Sequence, residues 1–476
     1  MNRRDFLINS ILAGRASAAF PWMASLPEAE DHGTMQVTVH LDQTVGSIAP
    51  DFIGLGYEIS SVARPGSLSA SNEVYVQLVR NLSEQGMIRI GGNTADYASY
   101  SPNAAAVSAP KTTVVNDEAL QQLASFLGAT GWRLIWGLDL GKGTVAEAVA
   151  EAKAVQRAAG SKLLAFEIGN EPDLFSHEKH RPPNYGYEEW LGEYRQYKAV
   201  LRKEVPGIPL AGPDVAVKTD WVTRFAADEG KDIVLLTHHY YREGQNPNST
   251  IQKLLGPDPK LQPQLATLRA ASRSCGVPYR ICEVNSFSGG GRPGVSDTMA
   301  AALWVLDYMF TLATYDCSGV NMETGVNQLD FISSYSPIAH DESGHPTAKP
   351  EYYGMLAFRL AGEGQLLGTE TDPSSPEIKA YATRATGGAL TLTVINKSGN
   401  PVSPTVTLSG PPRSWHGSVV RLAAPGMEAK ASITLGGAEV KSIDTWKVPR
   451  PETVAVRGGR LRLQVPAASA AMVTIA

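Results

Sequence analysis

The feature that most constrains the fold is a repeated alternation of short apolar runs with helical stretches. Eight runs rich in β-branched and aromatic residues each reach Gly, Asn or a charged residue, and a helical pattern separates most of them. The runs begin at Phe52, Met87, Arg133, Leu163, Ile208, Ile233, Tyr279 and Ser318. Strands that are apolar along most of their length belong to a parallel sheet that is covered on both faces. Eight such strands predict a closed (β/α)₈ barrel.

The pattern changes from about residue 362, where short strands are separated by Pro, Gly and Ser and no convincing helix lies between them. This composition predicts an all-β sandwich. Residues 35–44 (MQVTVHLDQT) alternate in the same way, so we expect them to contribute a strand to this second domain. The predicted organisation is a leader at 1–30, a catalytic barrel at 45–361 and a β-sandwich at 362–476.

The N-terminal stretch MNRRDFLINSILAGRASAAF resembles a twin-arginine export signal. Arg3 and Arg4 precede a weakly apolar stretch, and RASA supplies small residues at a cleavage site. The alternative is a disordered basic N-terminus. No later run reaches the roughly 18 apolar residues that a membrane span requires. We therefore expect an exported protein, periplasmic or secreted, without a membrane span.

The net charge and the cysteines exclude other classes of protein. A formal net charge of −5 argues against a nucleic-acid-binding protein, which needs a basic surface to neutralise phosphates. It does not exclude an anionic sugar, because a few local basic groups can outweigh the global field. The three cysteines are too few, and odd in number, for a disulfide framework.

Barrel enzymes carry their chemistry on the loops at the carboxyl ends of the strands. The polar residues that the sequence places there predict a polar ligand. They are Tyr57, Glu58, Arg89, Asn93, Asp139, Asn170, Glu171, Asp214, His238, His239, Tyr240, Glu283, Asn285 and Glu323. Of these, Glu58 and Asn93 are predicted to bind substrate.

Two glutamates in this set match the requirements of glycoside hydrolysis. Glu171 ends the fourth run, in LLAFEIGNEPDLF, and Glu283 lies in the seventh. One carboxyl group protonates the leaving oxygen and the other attacks the anomeric carbon or activates water. Asn170 is a candidate donor to a sugar 2-hydroxyl, and Pro172 is expected to restrict Glu171 to extended geometry. Tyr240 is expected to hydrogen-bond Glu283 and keep it ionised.

A purely structural interpretation of the glutamates remains open. In that interpretation Glu171 caps the start of a helix, and Glu283 pairs with Arg280 or Arg292.

Several motifs carry a family resemblance. RIGGNT, EIGNEPDLF, AGPDVA, HHYY and GGGRPGVSDTMAAALWVLD resemble glycoside hydrolase family 79, the β-glucuronidases and heparanases, and the resemblance runs from about residue 35 to the C-terminus. It implies Glu171 as acid/base, Glu283 as nucleophile and Tyr240 as the partner of the nucleophile. It also implies a barrel joined to a β-sandwich.

The stretch SGGGRPG, which follows Glu283, is a candidate site for the carboxylate of glucuronic acid. Consecutive glycines let backbone N–H groups converge on an anion. The resemblance implies that the backbones of Gly289 and Gly290 and the side chain of Tyr335 contact this carboxylate, and Arg292 adds positive charge. The alternative is a flexible loop. Ser288 stands where the resemblance implies a tyrosine in bacterial β-glucuronidases, and its loss would either weaken the carboxylate site or admit a decorated sugar, for example a 4-O-methylated one.

No metal or cofactor is predicted. His238 and His239 are adjacent on a strand and point to opposite faces, and no third ligand has suitable spacing. One inward histidine, His239, is expected to bond the substrate or a carboxylate. RIGGNT lacks the glycine pattern of a phosphate-binding loop.

The sequence thus predicts an exported retaining exo-β-glucuronidase acting on glucuronic-acid-containing oligosaccharides or glycoconjugates. One alternative is an endo-acting, heparanase-like enzyme or another retaining β-glycosidase of the same clan. A second is a catalytically silent carbohydrate-binding barrel.

Overall fold

In the computed structural model, the described residues are 35–109, 111–325, 333–410, 415–441, 445–448 and 451–475. The predicted leader at 1–30 lies outside them. Residues from Met35 onward form one compact unit.

Eight parallel strands form the barrel, and we number them in chain order as barrel strands 1 to 8. They are Gly54–Glu58, Met87–Gly91, Arg133–Leu138, Leu163–Ile168, Ala211–Val215, Leu235–Tyr241, Tyr279–Asn285 and Val320–Glu323. The hydrogen-bonded order is 4-3-2-1-8-7-6-5. Phe166 N–H donates to the carbonyl of Pro209 at 2.9 Å, and this bond brings strands 4 and 5 together. The predicted (β/α)₈ barrel is confirmed.

Helices cover the outside of the barrel. The longer ones are Glu73–Leu82, Asp117–Thr130, Val145–Ala159, Tyr187–Glu204, Thr219–Glu229, Leu261–Cys275, Met299–Thr314 and Pro350–Ala361. Short ones are Ile59–Val62, Ile251–Leu255, Ala95–Tyr97, Gly160–Lys162 and Pro172–Leu174. Local sequence fixes several ends. Thr144 and Glu147 form a capping box, for example, which satisfies backbone N–H groups at the start of Val145–Ala159. No helix in the described ranges is both long and apolar enough to cross a membrane.

In the described residues, the second domain is one sheet of ten strands. Its strands are Gln36–Ile48, Gly364–Asp372, Ile378–Arg384, Leu390–Asn396, Thr405–Leu408, Trp415–Ala423, Thr434–Leu435, Glu452–Val456, Arg460–Arg462 and Ser469–Ile475. Two short ladders, Ala98–Tyr100 with Thr113–Val115 and Ile338–His340 with Pro346–Ala348, lie outside the two large sheets. The N-terminal strand Gln36–Ile48 lies between Gly364–Asp372, to which it is antiparallel, and Thr405–Leu408, to which it is parallel. The sheet is therefore completed by the start of the described chain, as the alternating pattern of residues 35–44 predicts.

The ten-stranded sheet curls around its own core, so the two layers of the sandwich belong to one continuous sheet instead of two separate sheets. Val406 and Leu461 come from one flank, Val419 and Val456 come from the other, and all four pack in one apolar cluster. The opposite face, which includes Ile395, joins the cluster that contains the barrel helices.

A half-buried ion pair with a tyrosine beside it joins the two domains. Lys397, on the sheet side, donates to the Asp307 carboxylate of helix Met299–Thr314 at 2.7 Å, and Tyr381 donates to its other oxygen at 2.6 Å. The Tyr381 ring stacks on Phe310 with centroids 4.5 Å apart. We call Asp307, Lys397 and Tyr381 the interdomain latch.

Candidate active site

The two predicted catalytic glutamates meet at the mouth of the barrel. Glu171 follows barrel strand 4, and Glu283 lies in strand 7. One carboxylate oxygen of each, together with a ring nitrogen of His239, all lie within 4.8 Å of one another. Retaining glycosidases hold their carboxyl groups about 5–5.5 Å apart, whereas inverting enzymes need roughly 6.5–9.5 Å to admit a water. The observed separation is close to the first arrangement.

Arg89, in barrel strand 2, is the centre of the hydrogen-bond network beneath these glutamates. Its side chain is fully buried. Its guanidinium donates to Glu283 at 2.7 Å, to Asp214 at 2.6 Å and to the Asn170 side-chain oxygen at 2.9 Å, while its Nε donates to Glu167 at 3.1 Å. A planar group with several donors can hold this many acceptors in fixed geometry, which a lysine cannot do.

The glycines of RIGGNT make room for charged side chains. A Cβ on Gly91 would lie 2.4 Å from the guanidinium carbon of Arg89. A Cβ on Gly92, whose φ of 72° also favours glycine, would lie 2.4 Å from the carboxyl carbon of Glu58. The motif therefore allows two charged groups to pack against the backbone of the loop after strand 2.

Glu58, at the end of barrel strand 1, is held by that loop. It accepts hydrogen bonds from the backbone N–H groups of Asn93 at 3.1 Å and Thr94 at 2.7 Å. Burial, reinforced by the charge of Glu283, raises the pKa of Glu58 to about 7. Asn93 is exposed, and its side-chain oxygen accepts from the Asn170 amide at 3.3 Å.

Tyr241, and not Tyr240, contacts the predicted nucleophile. The Tyr241 hydroxyl donates to Glu283 at 2.8 Å, and Arg89 donates to the other oxygen of the same carboxylate. The Tyr240 hydroxyl instead donates to Asp258 at 2.7 Å. The prediction for Tyr240 is therefore wrong.

The physical reason is the two-residue period of a strand, in which adjacent side chains point to opposite faces. His239 contacts Glu171 inside the barrel mouth, so Tyr241, two residues further on, shares its side, whereas Tyr240 points outward. The sequence signal was present: an inward His239 requires an inward Tyr241.

Glu171 has an unusual backbone. Its φ of 50° and ψ of 50° lie in the left-handed region, so the extended geometry expected from Pro172 is wrong. Its N–H donates to the carbonyl of Asp214 at 2.9 Å, and Asp214 also has a positive φ, 58°. Such conformations cost of order 1–3 kcal/mol and cluster at functional sites. Tertiary hydrogen bonding has here overridden the local preference before proline.

The charged groups around Glu171 and His239 shift the pKa values of both residues. Burial raises the pKa of Glu171, the hydrogen bond from His239 opposes this, and the Glu283 charge adds to it. His239 lies 2.9 Å from Glu171 and 2.8 Å from Asp214. Burial lowers the His239 pKa, but the Asp214 and Glu283 carboxylates outweigh it, so the net pKa lies well above its usual range. The acids on either side of the ring thus favour the imidazolium form of His239. His238 faces away, and its pKa falls to about 4 because of burial.

The glycine loop after strand 7 lies next to the tyrosines of the site. Gly289, Gly290 and Gly291 all have positive φ, between 78° and 86°. Among the described residues, the N–H groups of Gly289 and Gly290 meet no hydrogen-bond acceptor. The Gly290 carbonyl accepts from the N–H of Ser334, which precedes Tyr335, and the ring of Tyr335 lies 6.3 Å from that of Tyr241. The structure thus brings the glycines and Tyr335 together.

Among the described residues, neither arginine proposed as a structural partner of Glu283 forms an ion pair with it. Arg280 donates to the carbonyls of Phe52 and Val320, near the start of strands 1 and 8. Arg292 is half-buried, and its backbone N–H donates to Ser296 at 2.9 Å. In the described part of the chain Glu283 is paired with Arg89.

Glu171, His239 and Glu283 have the spacing of a cation site, since one ligand atom of each falls within 4.8 Å of the others. Their surroundings do not fit a metal. The Arg89 guanidinium already binds Glu283, and the raised pKa of His239 keeps its ring protonated, so a cation would meet two positive groups.

Several functional residues received no role from the sequence. Arg89, Asp214 and Glu323 stood among the polar strand ends, and Glu167 lies within an apolar strand. The available signal was a charged residue inside an otherwise apolar strand, as in MIRIG and LLAFEIG, because an unpaired charge is almost never buried there.

A (β/α)₈ barrel with an acid of raised pKa facing a carboxylate held by donors has the parts that glycosidic bond hydrolysis needs. This fold and site define a glycoside hydrolase.

Comparisons with known proteins show which glycoside hydrolases the chain is similar to. The family model described as "Glycosyl hydrolase family 79 C-terminal beta domain" matches residues 380–472. A β-glucuronidase of Aspergillus niger is 26% identical over the full length of both chains. A heparanase of Mus musculus is 25% identical, covering 71% of this chain and 65% of its own. The C-terminal domain thus matches a family 79 model, and the whole chain is similar to β-glucuronidases and heparanases.

Solved structures confirm the architecture. A 4-O-α-L-rhamnosyl-β-D-glucuronidase of Fusarium oxysporum superposes with a TM-score of 0.75 at 19% identity, covering 92% of this chain and 100% of that one. An α-L-arabinofuranosidase of Thermotoga maritima gives 0.66 at 15% identity, covering 93% and 99%. At these identities the likeness concerns the fold.

Proposed function

We propose that the protein is a retaining exo-β-glucuronidase that removes terminal β-linked glucuronic acid, including a 4-O-methylated form. The observation that carries the proposal is the separation of at most 4.8 Å between the Glu171 and Glu283 oxygens. The names of two relatives, β-glucuronidases 26% and 27% identical to this chain, support the choice of sugar.

The proposed reaction has two displacements. In the first, Glu171 gives its proton to the glycosidic oxygen, the bond from that oxygen to the anomeric carbon breaks, and a Glu283 oxygen bonds to the carbon. In the second, the Glu171 carboxylate takes a proton from water, the water oxygen bonds to the anomeric carbon, and Glu283 leaves as a carboxylate. One water is consumed, and the anomeric configuration is retained.

The contacts suit these roles. Arg89 and Tyr241 donate to Glu283, and hydrogen bonds to a carboxylate favour the ionised form that must attack. Burial keeps Glu171 protonated to a higher pH than an exposed glutamate. When Glu171 becomes a carboxylate after the first step, the adjacent imidazolium of His239 stabilises it.

Groups near this pair are suited to hold the sugar. The N–H groups of Gly289 and Gly290 and the hydroxyl of Tyr335 are the candidate donors to the sugar carboxylate, with Arg292 adding local charge. The Asn170 side-chain oxygen is bound by Arg89, which turns its amide N–H₂ outward, where it can meet a 2-hydroxyl.

The endo-acting alternative has its own support, because heparanases are among the relatives. A hexasaccharide with glucuronic acid at its non-reducing end separates the two. An exo-enzyme releases the monosaccharide first, whereas an endo-enzyme releases shorter oligosaccharides first.

Export belongs to the same proposal and rests on Arg3, Arg4 and the RASA motif. Replacing both arginines with lysine in the full chain should retain the protein inside the cell. Continued export of that variant would exclude a twin-arginine route.

The first test is hydrolysis of nitrophenyl β-glucuronide beside the β-glucoside, β-xyloside and β-galactoside, with Glu283→Gln as the inactive control. We expect turnover of the glucuronide alone, and proton NMR of the first product should show the β-anomer. Preference for a neutral sugar would contradict the assigned carboxylate site. An α-anomer as first product would contradict retention, and binding without turnover would identify a carbohydrate-binding protein.

A further inference from the structure

Glu323 is a buried carboxyl group that the catalytic scheme leaves unused. It ends barrel strand 8, two residues after Asn321, whose side chain points into the barrel and donates to the carbonyls of Leu55 and Met87. Because side chains alternate along a strand, Glu323 points to the same interior, one layer nearer the mouth. Its carbonyl accepts from the Asn285 amide at 3.2 Å, which fixes the end of the strand.

The carboxyl group has no protein partner. Glu323 is 3% exposed, and among the described residues neither of its oxygens has a hydrogen-bond partner. Leaving a buried polar group unpaired costs about 1–3 kcal/mol, and more for a charge, so native proteins rarely tolerate it without a reason. The neighbouring strand makes room for it, because a Cβ on Gly56 would lie 2.8 Å from one of these oxygens.

The surroundings of Glu323 are those of the active site. The charged and titratable groups that interact with it, from every element packed against it, are Tyr57, Glu58, Arg89, His239, Tyr241, Glu283 and Tyr335. Tyr335 is also the tyrosine assigned to the sugar carboxylate. In the proposed binding mode, the unpaired carboxyl group of Glu323 is therefore on the side of the site assigned to the acidic edge of the sugar.

We propose that Glu323 is a specificity-determining residue that binds the glycone as a neutral carboxylic acid and donates a hydrogen bond to its acidic edge. An acid can pair with a carboxylate through a single shared proton, as two carboxyl groups do in the aspartic proteases. The inference rests on the proposed function, since it needs an anionic sugar in this site.

The electrostatics are consistent with a neutral Glu323. Burial, and next the charges of Glu283 and Glu58, raise its pKa well above the usual range, while Arg89 and His239 oppose the shift. A raised pKa means that the acid form persists at neutral pH and is lost as pH rises. Ionised Glu323 would repel an anionic glycone, so binding should weaken on the alkaline side through KM.

The test compares Glu323→Gln, Glu323→Ala and wild type in two measurements. The first is KM and kcat for nitrophenyl β-glucuronide between pH 4.5 and 9. The second is calorimetric binding of D-glucuronate to the Glu283→Gln protein with and without each Glu323 change. Glu151→Gln is the matched control, because Glu151 is another buried acid but is bonded to Trp136 at 2.8 Å outside the site.

Gln keeps a donor and cannot ionise. We expect Glu323→Gln to match wild type within about 3-fold at acid pH and to lose the alkaline rise in KM. Glu323→Ala should weaken glucuronate binding by about 10- to 150-fold, which is the effect of losing a hydrogen bond to a charged group.

Two results would overturn the inference. Unchanged binding in Glu323→Ala would show that Glu323 does not touch the sugar. Equal losses in Gln and Ala at every pH would show that a neutral donor at this position does not support binding. Failure of wild type to hydrolyse the glucuronide would instead refute the proposed function, and glucuronate binding by the Glu283→Gln protein is measured independently of turnover.

Discussion

Replacing Tyr241 with phenylalanine tests whether Tyr241, and not the Tyr240 that the sequence predicted, is the hydrogen-bond partner of Glu283. The change deletes one atom, the hydroxyl that donates to Glu283 at 2.8 Å, and leaves the Arg89 contact at 2.7 Å in place. A hydrogen bond to a charged group contributes about 1.5–3 kcal/mol. Because each 1.36 kcal/mol is tenfold in rate, kcat should fall by about 10- to 150-fold.

The matched control is the neighbouring Tyr240→Phe, which deletes a hydroxyl bonded to Asp258 on the outer side of the strand. Its kcat should stay within about 2-fold of wild type. Both variants are assayed on nitrophenyl β-glucuronide. Its leaving group needs little help from an acid, so the rate reports mainly on the ionisation and position of the nucleophile. Thermal unfolding shows whether either variant is simply less stable. A larger loss in Tyr240→Phe than in Tyr241→Phe would refute the inward assignment of Tyr241.

Three further predictions address the acid, the domain contact and a buried carboxyl. Glu171→Ala should slow hydrolysis of an alkyl glucuronide far more than that of the nitrophenyl glucuronide, since only the poorer leaving group needs a proton. Equal losses of rate on the two substrates would show that Glu171 is not the acid. Lys397→Met should lower the free energy of unfolding by about 1.5–3 kcal/mol, because it removes the charged hydrogen bond to the half-buried Asp307 carboxylate, and denaturant unfolding measures this. Burial raises the pKa of Glu151 from 4.5 to about 8. Its contribution to the stability of the fold is therefore complete below pH 4.5 and is lost as the pH rises toward 8, at up to about 1.4 kcal/mol per pH unit. Glu151→Gln should flatten the fall of melting temperature over this window, and an unchanged slope would show that Glu151 is ionised in the folded protein.

Exposed ion pairs provide the control for the latch. Lys153 and Glu204 lie 3.1 Å apart with side chains 45% and 42% exposed, so Lys153→Met should change stability by at most about 1 kcal/mol. A comparable loss in both variants would mean that the Lys397 effect does not come from burial.

The barrel could be predicted from the sequence because each strand has a local signal, an apolar run that ends at a polar residue. Glu171 and Glu283 could be located for the same reason, since the fold puts all eight strand ends at one rim. Register was harder to predict: Tyr240 was expected to bond Glu283 from its place at the end of strand 6, although the two-residue period that places His239 inward places Tyr241, and not Tyr240, on the same side.

Arg89 shows what a linear pattern does not contain. Its partners come from barrel strands 4, 5 and 7, and no spacing along the chain reveals that their carboxyl groups converge on one guanidinium. The backbone of Glu171 is similar, because its conformation depends on the carbonyl of Asp214 and not on the neighbouring Pro172.

The position of strand Gln36–Ile48 has a consequence for biosynthesis. This strand leaves the ribosome before the barrel, yet its partners Gly364–Asp372 and Thr405–Leu408 are made more than 300 residues later. Val37 and Val39, fully buried in the finished protein, have no sheet to enter until then. Such a strand is an exposed edge during synthesis, when unpaired strands invite aggregation. The N-terminal strand is thus covered only when the C-terminal domain has been translated. The ten-stranded sheet can therefore close only after most of the chain has been made.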